Sequence, residues 1–118
     1  MLFRSCVHEF SHGVMSAIRT ADAGLMADIE AAYAAARAAG RFKGHYAENT
    51  VAEYWAEGTQ WWFWSNYPWT PPEGGGRIWS PDSLQAYDPA LFAVLARVYP
   101  GHRIPADIYH GRDVRAGR

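Results

Sequence analysis

The chain reads as a mainly α domain with little or no sheet, on three observations. Apolar residues recur at helical spacing through residues 2–18 and again through 22–39. Ser80-Pro81 and Asp88-Pro89 each place a capping residue before a proline, which suits the first position of a helix. No segment alternates apolar and polar residues in the manner of a half-buried strand. The 118 residues allow one domain of ordinary size. At 49% hydrophobic, 15% aromatic and 19% charged, the composition excludes disorder and favours an aromatic-rich core.

In the first helix Phe3, Val7, Phe10, Val14, Ala17 and Ile18 form one apolar stripe. A turn of about 100° per residue places His8 and His12 on a roughly opposite face. The second helix, over 22–39, takes Asp22 as its cap, Leu25, Ile29, Tyr33 and Ala36 as its buried line, and Gly40 as its stop. "GRFKGHYAENT" (40–50) is a connecting loop, and a third helix is expected from Thr50 to Asn66. Tyr54, Trp55, Trp61, Trp62, Phe63 and Trp64 leave that helix apolar nearly all round, as in a helix buried on most sides. Without a covering sheet, some of these rings would be exposed and would mark a surface for self-association or a partner chain. "YPWTPPEGGGRIWS" (67–80) reads as a surface loop. The two proline pairs predict a short helical turn and then a helix over 89–99, and the tail after Gly101 reads as irregular.

A formal net charge of -1 argues against a polyanion-binding surface, so nucleic acid is not an expected partner. No apolar run approaches the roughly 18 residues that a bilayer span requires. The opening "MLFRSCV" is too short and too soon interrupted for a signal peptide. The single cysteine, Cys6, excludes an intrachain disulfide and is expected to be a small buried residue.

"HEFSH" carries the chemistry. His8 and His12, four apart on one helix, hold their imidazoles where a single zinc ion can bridge them. Glu9 falls beside the metal, placed to take a proton from an activated water. A catalytic zinc needs a third protein ligand and one open position. The third helix offers Glu53 and Glu57, which share a face; one can ligate while the other accepts the free N–H of a ligating histidine. Thr50-x-x-Glu53 also matches a capping box, in which the glutamate only satisfies a backbone donor. Glu48, His102 and His110 are expected to be exposed.

"HEFSH" followed by "YAENTVAEYWAEG" resembles the gluzincin metallopeptidases of the anthrax lethal factor and Pro-Pro endopeptidase type. There a tyrosine stands seven residues before the ligating glutamate, and the glutamate opens an E-aromatic-aromatic-A-E segment. Tyr46 and Glu53-Tyr54-Trp55-Ala56-Glu57 match that spacing. The resemblance implies a zincin-like fold, one zinc ion held by His8, His12 and Glu53, Glu9 as general base and Tyr46 as transition-state stabiliser. It leaves Glu57 for the outer contact to a ligating histidine. It also suggests secretion, although no leader stands in this chain.

Gln60 and Trp64 continue the Glu53–Glu57 face and are expected to wall the substrate cleft, with His45 lining it beside Tyr46. Only seven residues precede His8, where the family's twisted sheet would stand. Residues 1–118 are accordingly taken as one zincin-like domain or as the C-terminal part of a larger catalytic domain. The expected function is zinc-dependent hydrolysis of a peptide or protein substrate. The alternative is a catalytically silent metal-binding domain or an aromatic-rich protein-interaction domain.

Overall fold

Helix α3 (Val51–Trp62) is the axis on which the other elements pack. Around it lie α1 (Leu2–Ala21), α2 (Ala23–Ala38), α4 (Pro81–Tyr87) and α5 (Pro89–Val98), each in contact with it. The computed structural model describes residues 2–101, 106–107 and 112–113. Among these, sheet is confined to the two-residue antiparallel pair β1 (Ala106–Asp107) and β2 (Arg112–Asp113), with one further bridge between Trp69 and Ile78. The mainly helical expectation holds. The Phe3 side chain, His102 and His110 lie outside what is described. Among the described residues no helix is long and apolar enough to cross a membrane.

The aromatic run of α3 is interior. Tyr54, Trp55 and Trp61 are fully buried and Trp62 nearly so. Each such ring removes roughly 150–250 Å² from water, an upper bound of about 4–6 kcal/mol apiece. The burial expected of a helix apolar nearly all round is thus observed, and no exposed patch forms on these four rings, because four neighbouring helices cover them without a sheet. Gly58 makes one of these approaches possible: a Cβ there would lie 2.9 Å from a methyl of the buried Leu91 on α5.

The helix ends follow from local chemistry. The Asp22 carboxylate accepts from Leu25 N–H at 3.0 Å. At the other end of α2, Gly40 takes φ +74°, with Arg41 N–H donating to the Ala36 carbonyl at 2.9 Å. Helix α3 stops at Trp62, four residues before the expected end, by the same kind of closure: Ser65 N–H donates to the Gln60 carbonyl at 2.7 Å. Here the left-handed position is Trp64 (φ +59°), a conformation that costs a non-glycine residue about 1–2 kcal/mol. Burial of the Trp64 indole, packed edge-on at 5.5 Å from Trp79, offsets this. Ser80 and Asp88 cap α4 and α5 as expected. Asp88 also accepts a 2.8 Å hydrogen bond from the Tyr54 hydroxyl, which ties the α5 cap to the core.

Helix α1 departs most from expectation. Its buried line is Val7, Ser11, Met15 and Ile18, while Phe10 and Ala17 are exposed and Val14 is half-buried. Because α1 packs against both α2 and α3, its buried arc is turned so that His8 and His12 flank the core on the α3 side rather than opposing it. Ser11 is accommodated in that arc because its hydroxyl donates to the His8 carbonyl at 2.6 Å. Cys6 falls outside the arc and is exposed, contrary to expectation. On α2 the buried line is Met26, Ile29, Ala32 and Ala36, with Leu25 and Tyr33 at its margin.

Candidate metal centre and its cleft

Three side chains from two helices converge. Nε2 of His8 is 3.4 Å and Nε2 of His12 3.5 Å from the same Glu53 oxygen, Oε2. Ligand atoms of all three lie within 4.8 Å of one another. Bonds of about 2.1 Å to a tetrahedral zinc put neighbouring ligand atoms about 3.4 Å apart. The donor set therefore fits one divalent ion by both chemistry and spacing. The capping alternative for Glu53 does not compete: Thr50 Oγ1 accepts from Glu53 N–H at 3.1 Å, and the Glu53 carboxylate turns to the histidines.

The inner face of His8 is held by α3. Nδ1 lies 2.7 Å from Oε1 of Gln60, an oxygen that can only accept, so this nitrogen is the donor and Nε2 is the nitrogen turned to the Glu53 side. Gln60 is fully buried, with its amide nitrogen donating to the Ser65 carbonyl at 3.4 Å. It thus stands behind the histidine instead of walling the cleft. The contact expected of Glu57 is made by Gln60; Glu57 Oε2 lies farther off, 3.7 Å from His8 Nδ1. Trp64, also expected on the cleft wall, is buried where its left-handed backbone turns it away from α3's cleft side.

Glu57 is itself buried, which raises its carboxyl above the ordinary range; Asn66 and His8 counter this in part. Asn66 donates to its Oε1 at 2.9 Å, and His45 Nε2 is 3.6 Å from the same oxygen. His45 caps the 3-10 turn Tyr46–Glu48, its Nδ1 accepting from Ala47 N–H at 3.1 Å. Burial holds its imidazole below the ordinary value, so His45 is neutral with its proton on the nitrogen that faces Glu57. Phe42 anchors this loop against Trp61, Trp69 and Tyr87, with ring centroids 5.0–6.0 Å apart. Glu48 is half-buried rather than exposed, because its carboxylate accepts from Gly44 N–H at 3.2 Å and closes the loop.

A cleft of about 280 Å³ opens in front of this cluster, lined by His8, Glu9, Glu53, Glu57, Tyr46 and Arg4 among others. Tyr46 is 69% exposed, and Glu9 is exposed beside His8. An adjoining hollow of about 330 Å³ shares Arg4, Tyr46 and Glu57 and continues along His45, Tyr67, Pro68 and Trp69. Glu9 and Tyr46 thus border the cleft as expected, whereas His45 lines the adjoining hollow. Sequence reasoning passed over Arg4 and Asn66. The helical interval from Arg4 to His8 was available as a signal; nothing local marks Asn66, which reaches Glu57 only because α3 closes at Trp62. No family model, curated protein or solved structure matches the chain.

Proposed function

We propose that the protein is a zinc-dependent metallopeptidase with His8, His12 and Glu53 as ligands. The observation that carries this reading is the shared 3.4–3.5 Å approach of two imidazole nitrogens to one Glu53 oxygen beside an open cleft. A divalent ion held there would lower the pKa of a water toward ~7 and polarise a peptide carbonyl. Glu9, exposed on the cleft rim, accepts a proton from the attacking water and returns it to the departing amine nitrogen. The Tyr46 hydroxyl donates to the carbonyl oxygen as negative charge develops on it. Gln60 keeps the His8 ring in one tautomer, and Glu57 adds a buried acceptor behind it.

A metal centre without hydrolysis would need the same three ligands but neither Glu9 nor Tyr46. Their joint presence on the cleft favours the enzyme. The test is Glu9→Gln, which removes the proton acceptor but no ligand. Unchanged zinc content with loss of peptide cleavage supports the reading; equal cleavage by both proteins contradicts it.

A further inference from the structure

Arg4 stands one helical turn before His8, so Arg4, His8 and His12 follow one another along one side of α1. It lines both hollows, where the candidate metal centre meets the groove toward Tyr67. Its guanidinium carbon lies 4.5 Å from the centroid of the Tyr67 ring. Its Nε is buried without a hydrogen-bond partner, and among the described residues no carboxylate lies within 4 Å of the guanidinium. Stacking on an aromatic ring fixes the plane of such a group, and a fixed planar fork suits bidentate recognition of a carboxylate.

We propose that Arg4 recognises a carboxylate of the peptide substrate and so sets its register in the cleft; this rests on the metallopeptidase reading. The carboxylate is either an Asp or Glu side chain or a free C-terminus. Glu9, Glu53 and Glu57 face the one guanidinium in this cleft, so when all are ionised two negative charges remain in excess. A divalent ion offsets them. Recognition of an acidic peptide at Arg4 is therefore metal-dependent, which a merely structural arginine would not be.

The test uses zinc-loaded Glu9→Gln protein, which does not consume the peptide, and two peptide pairs. One pair differs by an internal Glu against Gln, the other by a free against an amidated C-terminus. The acidic member of at least one pair is expected to bind tighter by about 10–100-fold, the range of a charge-assisted contact. Whichever pair discriminates identifies the source of the carboxylate. Adding Arg4→Gln collapses the ratio to near unity, Arg4→Lys gives an intermediate ratio, and chelation abolishes the preference. Circular dichroism checks that both variants fold. Equal binding within both pairs, no binding of either member, or a preference that survives Arg4→Gln overturns the proposal. Absence of cleavage by the wild-type protein contradicts the peptidase reading instead, and the paired binding comparison still decides the role of Arg4.

Discussion

His8 on α1 and Gln60 on α3 are joined at 2.7 Å through Nδ1 and Oε1, and this contact decides which nitrogen of His8 faces Glu53. A buried side-chain amide 52 residues away thus orients a candidate ligand. Gln60→Leu leaves the Nδ1–H without that acceptor at similar side-chain volume. Loss of such an outer partner typically weakens metal binding by about 10–100-fold. A competitive chelator titration of wild type and variant measures this, and equal affinities would remove Gln60 from the site.

Tyr46 is largely exposed, so its hydroxyl can be tested apart from the fold. Tyr46→Phe should lower kcat for peptide cleavage by about 100-fold, as expected for one lost donor to a developing oxyanion, with Tm unchanged. A fall in Tm, or an unchanged kcat, would assign the tyrosine to something other than this chemistry.

Asp88 carries two loads at once: it caps α5 through Leu91 N–H at 3.1 Å and accepts from the buried Tyr54 hydroxyl. Asp88→Ala removes the cap and orphans that hydroxyl, for a loss of about 2–4 kcal/mol. Asp88→Asn keeps one acceptor oxygen for the Leu91 N–H and turns its amide nitrogen to the Tyr54 oxygen as a donor, so it should lose less. Urea unfolding of the three proteins gives the order.

Acid should weaken the fold through His45. Burial holds its imidazole below the ordinary value of 6.5, so between the two values the unfolded chain binds a proton that the folded chain does not. That contribution is present above about pH 6.5 and is lost as pH falls through the folded value. Glu57 works in the opposite sense: its carboxyl is raised above 4.5 by burial, so its contribution is full below 4.5 and fades as pH rises through the folded value. Tm measured against pH should therefore slope less below pH 6.5 in His45→Gln than in the wild type.

Much of the architecture was legible because it is local. Asp22, Ser80 and Asp88 announce helix starts, and Gly40 a helix stop, through chemistry confined to a few neighbouring residues. The early end of α3 was not, because a tryptophan takes the left-handed position that glycine normally signals. The face of α1 was misread for a different reason: which arc of a helix is buried depends on how many partners it has, and α1 has two long ones.

At the site, spacing alone selected His8 and His12, since an interval of one helical turn fixes a shared face; Glu53 was singled out from Glu57 by the resemblance. Spacing could not separate Glu57 from Gln60 as the partner of His8, because both follow Glu53 on nearly the same side of α3 and only tertiary distance distinguishes them. Arg4 stands one helical turn before His8, but its stacking on Tyr67 forms only when the loop bearing Tyr67 is brought alongside.

The central claim is that His8, His12 and Glu53 share one divalent ion, and zinc titration of the wild-type protein beside Glu53→Ala tests it most directly. About one zinc per chain in the wild type, with affinity sharply reduced in Glu53→Ala, is the predicted result. Absence of bound zinc in the wild type, or the same affinity in both proteins, would contradict it.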